Sequence, residues 1–325
     1  MHKVVPAFAF RARARMAMKP VMSILLVVAL IASLPSLISS TVTLLTGASP
    51  ESVIVNFSNR TMQVMEKYGL DQMQGAEIPQ VDEAALEADV LAVYEAFFTE
   101  METFSKEKGA IVIGLALMVA LTTPVLTMGL INALLHALRR KEFTASIVLS
   151  CLRYYPKVLG LELLLTLKYL LWMLPGVVIL IASIWLPENL MEAGVLIGTL
   201  TAAIPLVMAI YRYAMAIFVL ADNPETSIRS CIRRSCEVMK RRKLELFSLE
   251  LSFIGWSLLL SYVRLLLDGM LGPVLGMTLG QFAALFLTVY TNCAMAAFYQ
   301  EYAVGPLPSP EAREEAAPAD DTLND

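Results

Sequence analysis

Charged residues are scarce in this chain. Only 17% of its 325 residues are Asp, Glu, Lys or Arg and 57% are hydrophobic, whereas a soluble domain carries about 25% charged residues. One core cannot hide such an apolar excess, because a folded chain of this length still leaves much of its side-chain surface outside. With a mean hydropathy of +0.65, we expect the excess to face lipid.

Residues for metal and redox chemistry are also few. The two histidines and four scattered cysteines form no Cys-x-x-Cys pair and no histidine cluster, which argues against a zinc, haem or disulfide framework. The chain also lacks the sequence motifs of phosphate-binding loops, dinucleotide-binding folds, serine hydrolases and zinc proteases. No pair of intramembrane carboxylates is available for acid–base work. We therefore expect no enzyme activity and no cofactor.

Six long apolar stretches are present instead. A helix needs roughly 20 apolar residues to cross a bilayer, and none of these stretches alternates as a barrel strand would. They lie at about 20–45, 110–138, 159–186, 194–220, 249–267 and 274–298. The predicted fold class is an all-α polytopic membrane bundle of about six transmembrane helices, with an extracytoplasmic amphipathic helical loop and a cytoplasmic basic interfacial helix.

The distribution of basic residues predicts the orientation. Residues 1–19 and the connections 139–157 and 221–243 carry 17 cations, whereas residues 46–109 carry 12 acids and four cations. Because Lys and Arg concentrate on the cytoplasmic side, both termini are predicted to be cytoplasmic. The start of the chain also resembles a secretory signal peptide, but its apolar run is longer than a signal core. We therefore expect an uncleaved first helix.

The segments outside the spans divide into three. Residues 1–19 form a basic cytoplasmic N-terminus, residues 46–109 an acidic extracytoplasmic loop, and residues 304–325 an acidic tail that we expect to be disordered.

Within the acidic loop, six apolar residues recur at intervals of three and four, which predicts an amphipathic helix running on towards the second span. These are Leu86, Val90, Val93, Phe97, Met101 and Phe104. The stripe could dock on its own protein, on a partner, or on a second copy in a homo-oligomer, and we favour the first.

The segment 221–247 predicts a second amphipathic helix, and this one is basic. Asn223 reads as its N-cap and Pro224 as its first helical residue. One face carries Ile228, Cys231, Ile232, Ser235, Val238 and Met239, with arginines on the rest. Such a helix could sense lipid of the anionic inner leaflet, dock an acidic partner, or simply obey the positive-inside bias. Nucleic acid is not an expected partner, because no aromatic or groove-reading constellation is present.

The same segment resembles a known family. The residues that carry the resemblance are Asp222, Asn223, Pro224, Ser235, Met239, Lys243, Phe247, Ser252, Phe253, Gly255 and Trp256. Their order and spacing resemble DUF975, a bacterial integral membrane family of unknown function, over roughly residues 110–303. The resemblance implies a multi-pass protein of the bacterial cytoplasmic membrane and brings no established activity or catalytic residues.

Three departures from the family pattern stand out. Arg241 occupies a position where the family usually has glycine, and Leu244 one where it usually has tryptophan. The link between Gly176 and Arg212 is longer than the family norm. Within the family pattern, Gly255 is expected to permit a close contact between helices.

Polar residues and helix breakers inside the spans are candidates for a solute path. A charged residue inside a membrane span is energetically costly and so suggests a functional role. The candidates are Glu162, Lys168, Pro175, Gly176 and Arg212. Alternatively the third span begins at Tyr169, which leaves Glu162 and Lys168 at the interface, while Arg212 snorkels to the headgroups. At the other end of the bundle, Arg264 and Asp268 are predicted to pair at i,i+4 spacing.

Two function classes follow. The first is a non-catalytic membrane organiser that binds partners or lipid through its two amphipathic helices. The second is a permease-like transporter of an anionic or amphipathic solute, with Lys168, Pro175, Gly176 and Arg212 along its path. We favour the organiser, because it needs no cluster of charges in the membrane.

Overall fold

The computed structural model describes residues 6–70, 82–185 and 187–305, which form helices and no strand. The helices are α1 (Ala7–Met18), α2 (Met22–Thr46), α3 (Glu51–Lys67), α4 (Glu83–Leu138), α5 (Ile147–Ser150), α6 (Tyr155–Ser183), α7 (Glu188–Tyr213), α8 (Ala216–Asp222), α9 (Ile228–Val238), α10 (Lys243–Leu271) and α11 (Pro273–Tyr299). A π-helical turn, Gln300–Val304, follows α11. The acidic tail beyond residue 305 lies outside the described residues.

Six helical stretches in the described part of the chain are long and apolar enough to cross a membrane. They are Ala7–Thr46, Glu83–Leu138, Ile147–Ser183, Leu190–Asp222, Lys243–Leu271 and Thr278–Val304. Each contains most of one stretch that the sequence predicts as a span. The predicted all-α membrane bundle with six spanning helices is therefore confirmed. The predicted end of the third span, residue 186, is not among the described residues.

One compact unit comprises residues 35–121. Helix α4 runs without interruption through the predicted amphipathic stretch into the predicted second span, as the sequence indicates. Helix α3, which sequence analysis missed, packs beside it: the Phe57 ring lies 4.8 Å from that of Phe97, and Arg60 pairs with Glu100. Part of the apolar stripe on α4 thus packs within its own protein.

The other unit comprises residues 1–34 and 122–325, and helices α6 and α7 form a tight hairpin within it. A Cβ atom on Gly176 would lie 2.3 Å from the backbone nitrogen of Ala202, and one on Gly198 would lie 2.8 Å from Leu180. Small residues allow helix backbones to approach this closely. Gly176 therefore serves the packing of α6 against α7.

Helices α10 and α11 form a second hairpin in this unit. Arg264 Nε lies 3.8 Å from Asp268 Oδ2, which confirms the predicted pair. Gly276 packs against Asp268, and Gly280 packs against Arg264. The close helix contact expected at Gly255 is wrong, because a Cβ atom there would meet no other atom within 4 Å. The small residues that bring α10 and α11 together lie on α11 instead.

Helix α1 is packed against α10 and α11. Its residues Phe10, Ala14 and Met18 are buried, and the Phe10 ring lies 5.4 Å from that of Phe298. From its sequence, this segment was predicted only to be basic, and no helix was predicted there. Its buried residues cover apolar surface of α11.

The tight contact at Gly176 gives the first prediction. Gly176→Ala should lower stability by about 1–3 kcal/mol, as overpacking does, because the new methyl group meets backbone atoms of α7 that cannot rotate away. Thermal unfolding of the purified protein in detergent would measure this as a lower midpoint. Gly255→Ala is the matched control, since its methyl group enters open space. Equal midpoints for the two variants would contradict the packing role of Gly176.

Candidate functional site

Five of the eleven residues of the family pattern lie on or beside α9. This helix begins at Ile228, and the Ser227 hydroxyl accepts a hydrogen bond from the Ser230 N–H. The predicted start, with Asn223 as N-cap, is therefore wrong. The Thr226 N–H donates to the Asn223 carbonyl at 3.0 Å, so these residues form a turn with Pro224 in its second position, where proline is favoured. Serine then caps the helix.

The predicted apolar face of α9 is confirmed, and protein covers it. Cys231, Ile232, Ser235 and Val238 are buried, in contact with α8, α7 and α6. Burial also raises the pKa of the Cys231 thiol, which keeps it in its unreactive protonated form. What α9 presents to its surroundings is its cationic face, which includes exposed Arg229 and Arg233.

Ser235 holds α9 to the break between α7 and α8. Its hydroxyl accepts a hydrogen bond from the Met215 N–H at 3.2 Å and donates one to the Arg212 carbonyl at 3.0 Å. A helix end leaves backbone groups without intrahelical partners, and here one fully buried side chain satisfies two of them. The family residue Ser235 is thus a structural tie.

Asp222 joins the ends of three helices. Its Oδ1 atom lies 2.5 Å from Arg139 Nη1 on α4, and its Oδ2 atom accepts a hydrogen bond from the Tyr299 hydroxyl of α11 at 3.2 Å. Arg139 Nε also donates to Gln300 Oε1 at 2.9 Å. The Arg139 and Asp222 side chains are 23% and 10% exposed. Removing one partner of such a pair strongly destabilises the folded protein, because the remaining charge is then buried without a partner.

A cavity of about 470 Å³, here named the polar cleft, opens beside this ion pair. Asp222 and Tyr299 lie on one side, and Arg233 and Arg234 of α9 on another. Arg234 Nη2 donates to the Ala303 carbonyl at 2.8 Å, which fixes this guanidinium at the rim. The lining residues are Val219, Asp222, Asn223, Thr226, Ser230, Arg233, Arg234, Glu237, Tyr299, Ala303 and Val304. The arginines and hydroxyl groups of the polar cleft suit a polar or acidic ligand.

The remaining residues of the family pattern pack around the start of α10. Met239 and Phe253 are buried, and the Phe253 ring meets that of Tyr290 at 5.1 Å. Others hold neighbouring elements: the Pro224 carbonyl accepts from Lys157 Nζ, Phe247 contacts the Tyr211 ring, and the Ser252 hydroxyl bonds the Leu249 carbonyl. Lys243 begins α10, and Trp256 is 53% exposed on it.

The candidate path residues are only partly brought together. Lys168 Nζ and the Arg212 guanidinium each lie 5.9 Å from the ring of Tyr213. Arg212 is exposed, and its Nε donates to Cys236 Sγ at 3.3 Å. Glu162 is exposed, whereas Gly176 is packed on α7 beside Pro175. None of these five lines the polar cleft or the cavities of about 970, 350 and 190 Å³ elsewhere in the described residues.

Sequence analysis missed the partners that build the cleft. Arg139 was counted only as an orienting charge, and neither Tyr299 nor Gln300 was connected to it or to Asp222. The available clue was Asp222, an acid at the end of an apolar stretch, where a buried carboxylate requires a cation.

These features define a multi-pass α-helical membrane protein. The chain belongs to the DUF975 family, whose model, "Protein of unknown function (DUF975)", matches residues 85–303. The match starts earlier than the resemblance at about residue 110 and so includes nearly all of α4. No curated protein and no solved structure matches the chain.

The backbone at position 241 gives a physical reason for the glycine that the resemblance leads us to expect there. Arg241 follows α9 with a φ of 66°, a left-handed conformation that glycine adopts without steric cost. An L-residue with a side chain pays about 1–2 kcal/mol there. The substitution of arginine for glycine therefore strains the turn between α9 and α10.

The ties made by Ser235 give the second prediction. Ser235→Ala should lower stability by about 1–3 kcal/mol, because it leaves the buried Met215 N–H without the hydroxyl that accepts its hydrogen bond. Ser230→Ala on the same helix is the control, since its hydroxyl bonds only the exposed Ser227 hydroxyl. Thermal unfolding in detergent compares the two. If Ser235→Ala unfolds at the wild-type temperature, the proposed tie does not hold α9.

The strained turn gives the third prediction. Arg241→Gly should raise the stability by about 1 kcal/mol by removing the left-handed strain. Lys240→Gly is the control, because Lys240 lies in the same turn without a positive φ and gains nothing from glycine. The midpoint of thermal unfolding should rise for the first variant alone. A rise in both would mean that loss of positive charge is the cause.

Proposed function

We propose that this protein is a non-catalytic membrane organiser that holds an acidic protein partner at the polar cleft. The observation that carries the proposal is the cleft wall formed by α9. There Arg233 and Arg234 stand beside hydroxyl groups, on a helix that Ser235 fixes to the bundle. Glu237 lies within ion-pair distance of both arginines, so this wall carries one excess positive charge. A helix that is already fixed in place loses little conformational entropy when it binds a carboxylate, which favours affinity.

The burial of α9 supports a protein partner over a lipid surface. An interfacial helix binds a membrane by inserting its apolar face among the acyl chains. In this chain that face is covered by α6, α7 and α8, so only charges remain outside. Charge alone steers and orients an acidic protein efficiently.

The contacts of Asp222 support a binding role over catalysis. A general base must lie within hydrogen-bond reach of the proton that it abstracts. One Asp222 carboxylate oxygen is paired with Arg139 and the other accepts a hydrogen bond from Tyr299. Both oxygens are therefore engaged in holding the wall of the cleft.

The proposal includes the location of the protein. The basic segments around α1, the end of α4 and α9 belong on the cytoplasmic face of a bacterial cytoplasmic membrane, because cytoplasmic loops carry the excess of Lys and Arg. Both termini would then be cytoplasmic, and the partner would be a cytoplasmic protein or domain.

A permease-like carrier is the second candidate. The observation in its favour is the approach of Lys168 and Arg212 to the same Tyr213 ring, which puts two cations at one place between α6 and α7. Against it stand the exposure of Arg212 and the packed contact of Gly176 with Ala202. An anionic solute is the ligand such a pair would take.

The fourth prediction tests the organiser. A photoreactive phenylalanine replacing Thr226, inside the cleft, should give a discrete cross-linked protein adduct in cells of the native host. The same residue replacing Leu244, which is 81% exposed outside the cleft, should not. Arg233→Gln with Arg234→Gln should reduce the adduct several-fold, because both guanidinium groups that face the cleft are lost.

The controls separate the cleft from general positive charge and from the carrier. Arg229→Gln with Lys240→Gln removes the same charge from exposed positions outside the cleft and should leave the adduct unchanged. Equal losses in the two double variants, or no discrete adduct from position 226, would contradict the proposal. A small anion that co-purifies in stoichiometric amount and is lost on Lys168→Met would favour the carrier.

A further inference from the structure

A second cavity lies apart from the polar cleft, between the elbow that joins α1 to α2 and the end of α4. Its volume is about 970 Å³, large enough for part of a lipid molecule. The lining residues are Met16, Ala17, Pro20, Val21, Ile24, Ala137, Arg140, Lys141, Glu142, Phe143 and Thr144. We name it the elbow groove.

The elbow groove has one apolar side and one charged side. The α1–α2 elbow contributes Met16, Pro20, Val21 and Ile24, and the chain after α4 contributes Arg140, Lys141 and Glu142. Within the part of the chain that the structure describes, these three charged side chains form no ion pair with one another or with other residues. Two cations against one acid leave an excess of one positive charge, which a ligand of one negative charge balances.

The way α4 ends fixes the position of Arg140 beside the groove. Just beyond the helix, Arg140 has a φ of 53°, where the Lys141 N–H donates to the His136 carbonyl at 2.9 Å and the Arg140 N–H to that of Ala137 at 3.2 Å. This helix-ending motif normally uses glycine. Arg241 has a similar φ outside the groove, so the ligand is inferred from the lining of the groove and not from this conformation.

The level of the groove along the helices matches a lipid headgroup. The apolar part of α4 ends at Leu138, two residues before Arg140, and the predicted first span begins at Pro20, in the apolar wall. Arginine and lysine at the ends of spanning helices reach the headgroup layer. Basic pockets between spanning helices on the cytoplasmic side of a membrane recognise anionic headgroups.

We propose that the elbow groove binds one anionic phospholipid molecule. Its phosphate lies between Arg140 and Lys141, and an acyl chain runs along Pro20, Val21 and Ile24. Glu142 accepts a hydrogen bond from a headgroup hydroxyl, which favours a glycerol headgroup over a choline one. This site is separate from the polar cleft and holds whether or not the cleft binds a protein.

The fifth prediction uses native mass spectrometry of the full-length protein, delipidated in mild detergent and titrated with phosphatidylglycerol. One molecule should bind each protein. Arg140→Gly with Lys141→Gln should weaken binding about tenfold or more, since each cation near an anionic headgroup contributes about 1 kcal/mol. Lys240→Gln with Arg241→Gly is a matched control: it removes two adjacent cations and places glycine at the other left-handed arginine, outside the groove, and should leave binding unchanged.

A third variant tests the apolar wall. Val21→Trp fills the space for the acyl chain and keeps both cations, so it should weaken binding of phosphatidylglycerol and leave any binding of inorganic phosphate unchanged. Equal losses in the two charge variants would overturn the proposal, because they would indicate non-specific attraction. Equal affinity for phosphatidylcholine or phosphatidylethanolamine would also overturn it, as would phosphate binding as tightly as the lipid.

Discussion

The pairing of Arg139 with Asp222 is the interaction on which the basic side of this protein depends. A carboxylate at the end of an apolar helix is expensive unless a cation and hydrogen bonds neutralise it. Arg139, directly after α4, supplies the cation, and the Tyr299 hydroxyl of α11 supplies a hydrogen bond. Gln300 in turn accepts a hydrogen bond from Arg139. The ends of α4, α8 and α11 are thereby held together, and the polar cleft is the space that remains beside the carboxylate.

The covering of α9 changes what a basic amphipathic helix can do. Considered alone, its sequence fits a helix adsorbed on a lipid surface, with its apolar residues toward the acyl chains and its arginines toward water. The folded chain uses the apolar residues for itself, through Cys231, Ile232 and Val238, and ties the helix to the α7–α8 break through Ser235. The arginines are left on a rigid support, which suits recognition of a defined acidic surface better than adsorption to a fluid one.

The sequence predicts the parts of this fold that depend on local periodicity. Apolar length predicts six spans, three- and four-residue spacing predicts the buried face of α9, and i,i+4 spacing predicts the Arg264–Asp268 pair. It does not predict contacts between distant residues, so Arg139 and Tyr299 were not connected to Asp222. The start of α9 was misplaced because both Asn223 and Ser227 can cap a helix, and the choice depends on the turn around Pro224. Gly255 was misassigned because sequence does not tell which glycine faces a neighbouring helix.

The two left-handed arginines show that backbone strain alone does not identify a ligand site. Arg140 and Arg241 both follow the end of a helix and have similar φ angles of 53° and 66°, so their steric costs are comparable. Arg140 lines a large groove beside a second cation and an apolar wall, where the proposed binding of an anionic lipid would offset that cost. Arg241 is exposed and lines neither the elbow groove nor the polar cleft. The surroundings of the two side chains, and not their φ angles, therefore distinguish the two positions.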